Sequence, residues 1–208
     1  MKQLFFILLI LATSIARPQD YVKVYKAKQI KFLGLDYTAA LFIGSASFES
    51  PEAMAVMTNT WNSLILDEYH KYNVEKAFGV KMIIDFEMVK ERNLHTDYTD
   101  HIIDKFVILP HLSKADLDSL IATYPDFEKS GVALVFVVDA YDKTTAQGYY
   151  HTVFFDKTTK KILIHYVNTG EAGGFGLRNY WAHSYYEVIK KAGKRFRSSA
   201  EFYRYYTE

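Results

Sequence analysis

Three strand-like runs follow one another in the last third of the chain: GVALVFVVDAY (131–141), GYYHTVFFD (148–156) and KKILIHYVN (160–168). Only DKTTAQ (142–147) and KTT (157–159) separate them, polar segments of hairpin length. Strands joined this tightly form an antiparallel meander, and the rest of the fold has to be arranged around it. The third strand runs into VNTGEAGGFGLRNYW (167–181), with glycines at 170, 173, 174 and 176. Beyond it, Leu177, Trp181, Tyr185, Val188 and Ala192 recur at helical spacing, and Gly193 is placed to close that helix. Lys190, Lys191, Lys194, Arg195 and Arg197 then read as a solvated helix end, where cations complement the dipole.

Upstream, Tyr21 to Phe32 mixes apolar residues with lysines and reads as an edge strand, lysine being a common edge guard. DYTAALFIGS (36–45) reads as a buried strand ending at Gly44. Ser50-Pro51-Glu52 is a helix start, followed by Met54, Met57, Trp61, Leu64 or Ile65, and Tyr72 at steps of three and four. Asn73 breaks or kinks this helix, and Gly79 ends the connection. VKMIIDFEMVK (80–90) alternates as a strand, with Val80, Met82, Ile84, Phe86 and Met88 on one face. A short helix is expected near Tyr98 to Lys105, with an apolar connection through Val107 to Leu109. Ser113 opens a capping-box-like helix that stops before Pro125. The expected order is β-α-β-α-β-β-β-α: a mixed sheet covered by helices, α/β or α+β in class.

The first residues, MKQLFFILLILATSIARPQ, have the layout of a secretory signal peptide: Lys2, an apolar run from Leu4 to Leu11, then Ser14-Ile15-Ala16. Residues 17–208 carry no repeat or linker and read as one globular domain. That length buries roughly 70% of its unfolded surface, enough for an ordinary core. The chain has no cysteine, so an exported form has no disulfide, thiolate metal site, cysteine nucleophile or lipid-acceptor thiol. An export signal without cysteine fits a bacterial envelope. The chain holds 25 Lys+Arg against 24 Asp+Glu, and losing Lys2 with the signal leaves the two signs equal. A neutral surface argues against nucleic acid as a partner. The 17 Tyr and 15 Phe suit either a sheet-rich core or an interface.

The glycine stretch fails both phosphate-loop patterns. Leu177-Arg178 stands where a Walker loop needs Lys-Ser/Thr, and Asn179 where a dinucleotide loop needs its third glycine. What remains is a helix N-terminus with Arg178 nearby, set against glycines that merely allow close packing. HTDYTDH (95–101) gathers His95, Asp97, Asp100 and His101 but lacks a helical metal-ligand spacing. His151 and His165 fall on neighbouring strands and are expected to pair across the meander. IGSASF (43–48) lacks the G-x-S-x-G nucleophile elbow. Asp85, Glu87, Asp139, Asp142 and Asp156 lie near strand ends without forming an evident catalytic pair. No cofactor or metal is implied.

The element order, the signal peptide and the hairpin YYHTVFFDKTTKKILI resemble small bacterial envelope-assembly domains, such as the TolB N-terminal domain and the curli-secretion lipoprotein. FFDKTTKKIL followed by GGFGLRNYW also resembles an uncharacterised family of exported bacterial proteins, which implies no activity. The lipoproteins of the first group carry an acceptor cysteine that this chain lacks. The expected function is therefore a non-enzymatic, exported binding or assembly domain of the envelope, with a protein or peptide partner. Its expected surface is Gly173, Gly174, Phe175, Gly176, Arg178, Asn179 and Tyr180. Two alternatives stand beside it: an exported glycan hydrolase using strand-end carboxylates, and a small-anion binder at the last helix's N-terminus. Cleavage after Ala16 predicts a mature chain beginning near Arg17, which N-terminal sequencing of protein from the exporting cell checks.

Overall fold

Every residue of Val132–Asp142 is buried, and that strand is the axis of the fold. The computed structural model describes residues 18–207; the expected signal peptide lies outside them. In chain order the elements are α1 (Pro18–Tyr25), β1 (Gln29–Asp36), β2 (Leu41–Ile43), α2 (Pro51–Asp67), α3 (Val74–Phe78), β3 (Lys81–Ile84), α4 (Glu87–Leu94), β4 (Ile102–Ile103), α5 (Lys114–Ala122), β5 (Val132–Asp142), β6 (Gln147–Asp156), β7 (Ile162–Glu171) and α6 (Gly176–Thr207). Along one side of β5, β1 pairs in parallel from Ala133 to Val137, and β2 pairs in parallel from Ala140 to Asp142. β3 extends the sheet beyond β1, and β4 beyond β2, both in parallel. On the other side β6 and β7 run antiparallel, forming the expected meander. The result is a mixed α/β sheet covered by helices.

Two apolar layers sandwich it. Phe32, Leu134, Phe136, Tyr141, Tyr150 and Phe154 face Trp61 of α2, Phe78 of α3 and the Trp181–Tyr185–Val188–Ala192 stripe of α6. Leu33, Ala133, Val135, Val137 and Val153 face Val89 of α4 and Leu117 and Ile121 of α5. With both faces covered, β5 reads as a continuous apolar run, as strands inside a parallel sheet do. A register shift between Val138 and Ala140 puts one extra residue, Asp139, into β5.

Helix starts follow the local chemistry. Ser50 accepts from the Ala53 amide at 3.4 Å ahead of Pro51, and Ser113 with Asp116 forms a full capping box. Asn73 caps α3 through the Lys76 amide at 2.8 Å, and Gly79 ends that helix at φ 68°.

Several expectations are corrected. Tyr21 to Phe32 is not one edge strand: residues 18–25 are helical with Val24 buried, and the strand begins only at Gln29. Pro18 and Asp20 at the start favour that helix. The strand expected over 36–44 breaks at Tyr37–Ala40, where the Ala40 amide bonds the Tyr37 carbonyl at 2.9 Å, although its end at Gly44 (φ 96°) stands. Within 80–90 only 81–84 pairs as a strand. Asp85 then accepts from the Glu87 amide at 3.3 Å and the chain turns helical, burying Val89 and Asn93 one turn apart. No helix forms over 98–105: Asp97 accepts from both the amide and the hydroxyl of Thr99, and the chain leaves that turn as β4. α6 does not stop at Gly193. A side chain there would overlap the Ala77 carbonyl, so the glycine marks where α3 crosses α6. The basic residues 190–197 accordingly lie inside the helix, with Arg195 over the Tyr166 ring at 4.2 Å and Lys190 beside Glu187 at 3.2 Å.

Gly170 of β7 is the tightest point. A Cβ there would overlap the carbonyl of Ser184, so only glycine lets α6 lie this close to the sheet. Gly170→Ala is expected to cost at least about 3 kcal/mol in urea denaturation, as overpacking against a backbone that cannot yield. Gly173→Ala, whose nearest neighbour would be His183 Nδ1 at 3.6 Å, should stay within about 1 kcal/mol of the native chain.

Candidate functional site

Strands β2, β4, β5 and β7 all point the same way, so the loops that follow them leave one end of the sheet. In open α/β sheets ligands gather outside the carboxyl ends of the strands. The glycine turn after β7 is held there by its own backbone. The Ala172 amide bonds the Ala146 carbonyl at 2.8 Å, and the Gly173 amide bonds the Tyr180 carbonyl at 2.9 Å. Gly174 (φ 106°) and Gly176 (φ 76°) take left-handed conformations that any other residue would strain to reach. The side chain between them, Phe175, is 95% exposed.

The remaining expected site residues gather around this turn with unequal freedom. Arg178 reaches Glu68 at 3.7 Å and the Asn179 side chain at 3.0 Å, while its carbonyl accepts from Trp61 Nε1 at 2.9 Å. Asn179 is exposed. Tyr180 is half-buried, edge-on to Trp181 at 5.1 Å and beneath the Lys143 ammonium at 3.4 Å. Lys143 belongs to the β5–β6 turn, whose amide bonds Ile43 of β2 at 3.0 Å. After β2, Ser45 donates to Asp104, which follows β4, through its amide at 2.7 Å and its hydroxyl at 2.5 Å. The four loops thus form one interlocked rim. The loop after β4 adds two more exposed apolar side chains, Phe106 (90%) and Ile108 (78%).

The strand-end aspartates are each engaged. Asp142 accepts from Thr144 and Thr145, and Asp156 from the amides of Thr158 and Thr159 while pairing with Lys23. Asp85 pairs with Lys31 at 2.7 Å, and Glu87 stands exposed in the first turn of α4. In HTDYTDH, Asp97 closes a turn, His95 bonds the Glu91 carbonyl and His101 the Ala40 carbonyl. Among the described residues no three His, Asp or Glu side chains are set to hold a metal ion.

Asp139 is the exception that sequence reading undervalued. It is fully buried and accepts four bonds: from the His111 amide (2.9 Å) and ring (3.0 Å), the Leu112 amide (2.8 Å) and His151 Nε2 (2.9 Å). His151 Nδ1 lies 2.7 Å from His165 Nε2, so the expected cross-strand histidine pair exists and continues inward to a carboxylate. In the tautomer of a neutral His151 that donates from Nε2 to Asp139, Nδ1 is the acceptor for His165. Burial alone would raise the Asp139 pKa, but the bonds from His111, His151 and the two amides outweigh it and hold the carboxyl well below the usual range. Burial, then the neighbouring His151, lowers His165 to about 4. A second buried acid, Asp36, ties β1 to α4 through Arg92 (3.3 Å) and to the segment just after α5 through the Tyr124 hydroxyl (2.5 Å). The signal for Asp139 was present: an acid interrupting the apolar run ALVFVVDAY, with histidines of matching strand parity.

No known protein family and no curated protein matches this chain in sequence.

The sign of the pH dependence follows from the two shifts. His165 binds a proton less readily folded than unfolded, so stability falls as pH drops from 6.5 toward 4. Asp139, whose pKa is depressed, adds a further loss once pH falls below the ordinary carboxylate value of 3.8. Urea midpoints measured from pH 8 to 3 should show both segments, and His165→Gln should flatten the first. Asp139→Asn should cost about 3 kcal/mol at neutral pH by leaving buried donors mismatched.

Proposed function

We propose that this protein is an exported binding domain of the bacterial cell envelope, without catalysis of its own, that captures an envelope protein or peptide on the carboxyl-end loops of its sheet. The observation that carries the reading is the trio Phe106, Ile108 and Phe175, large apolar side chains exposed on loops leaving one end of the sheet. Aromatic anchors on a rigid frame lose little freedom on docking and are the usual centres of protein interfaces. Export rests on the signal-peptide pattern of residues 1–16. Among the described residues no helix is long and apolar enough to cross a membrane.

The two other readings draw less support. A glycan hydrolase needs two carboxyl groups free to flank a bond, whereas Asp139, Asp142 and Asp156 are committed to the fold and Asp85 to Lys31. An anion at the start of α6 would compete with Glu68 for Arg178.

Because Tyr180 is half-buried, Phe175 and Phe106 make the cleaner test. Phe106→Ser with Phe175→Ser should leave the thermal midpoint unchanged and weaken partner capture at least tenfold. A photoreactive side chain at position 175 should give a discrete cross-linked envelope product, and one at exposed Val56 should not. The same products from both positions would defeat the proposal.

A further inference from the structure

A cleft of about 890 Å³ opens at the amino-terminal end of β1 and β5, away from the carboxyl-end rim. Its walls are the starts of β1 and β5, the loop 126–131 and the turn after β3. Five lysines line it: Lys23, Lys28, Lys31, Lys129 and Lys157. Lys31 is neutralised by Asp85, Lys23 by Asp156, and the lining acid Asp126 is shared with Lys160 at 3.7 Å. That leaves Lys28, Lys129 and Lys157 without an acidic partner among the described residues, against Glu128 alone. Lys157 is the most constrained of these. It is half-buried, its stem passes over Gly131, where a Cβ would meet Cε at 3.3 Å, and burial, then Lys31 and Lys129, lower its pKa. Unpaired like charges gathered in a concavity attract a counter-ion.

The floor is apolar. Phe127 lies beneath the Lys31 ammonium at 5.4 Å, and Ile83 (42% exposed) and Met88 complete it. Among the described residues no arginine lines the cleft, and the planar two-pronged recognition that favours carboxylates is missing from them. Lysine ammoniums act as point charges and suit a compact, multiply charged oxyanion.

We infer that this cleft binds a phosphate-bearing ligand, its phosphate among Lys28, Lys129 and Lys157 and its apolar body on Phe127, Ile83 and Met88. The site is independent of the carboxyl-end rim, and Phe106→Ser/Phe175→Ser leaves it intact, so the two proposals fail separately.

Titration calorimetry of the full chain at low salt tests it, with phenyl phosphate as probe beside inorganic phosphate, benzoate and phosphatidylglycerol vesicles. Phenyl phosphate should bind saturably, benzoate at least tenfold more weakly, and added salt should weaken both. Lys129→Gln with Lys157→Gln should lose about tenfold per lysine without moving the thermal midpoint, since neither ammonium holds an acid of the fold. Vesicle binding that exceeds phenyl phosphate and is lost in the same variant would place the phosphate on a lipid headgroup. Phenyl phosphate alone would place it on a free ligand. Absence of saturation by every phosphate probe, or undiminished affinity in the double variant, overturns the inference.

Discussion

The contact between α6 and the meander is the constraint on which the rest depends. Gly170 and Gly148 lie on adjacent strands beneath Ser184, and neither position has room for a side chain. With the helix this low, Trp181 reaches Tyr141 and stacks on it at 4.3 Å, the two ring planes nearly parallel. Phe48 covers the other part of the indole at 5.7 Å, and Trp61 meets Tyr141 edge-on at 5.2 Å. The last helix, the second helix and the central strand are thereby fixed to one another through rings whose relative orientation is specific.

Three tyrosines of this layer, Tyr37, Tyr141 and Tyr150, satisfy their hydroxyls by bonding to one another. Tyr37 meets Tyr141 at 2.8 Å, Tyr150 meets Tyr141 at 3.2 Å, and Tyr150 also bonds Ser184. Burial raises the pKa of all three, which keeps them neutral and able to share protons along the chain of oxygens. Such a network substitutes for water inside a layer where an unpaired hydroxyl would be costly. The aromatic richness of the sequence is thus largely internal. Phe106 and Phe175 are notable because they lie outside it.

Much of the architecture was legible because its signals are local. The meander, the Ser50 and Ser113 caps and the inner stripe of α6 each occupy a short window. Gly193 misled because a glycine that ends a helix and one that admits a crossing helix look identical without the partner. The lysine cleft was hidden by dispersion: residues 23, 28, 31, 129 and 157 come together only when β1 and β5 pair, and the overall charge balance masks them. Asp139, His111, His151 and His165 were similarly scattered over three strands and a loop. Only the histidine pair could be read, from strand parity.

The extra residue in β5 also decides parity. Before it, Leu134, Phe136 and Val138 face α6; after it Tyr141 does, one residue beyond Ala140, where simple alternation would fall. Were Asp139 paired in regular alternation instead of bulged out, the tail of the strand would turn over, delivering an alanine to Trp181 and a tyrosine to the opposite layer under α5. A single unpaired position therefore works as a frame marker for the whole carboxyl end, and the acid that occupies it is anchored from four directions so that the count cannot slip.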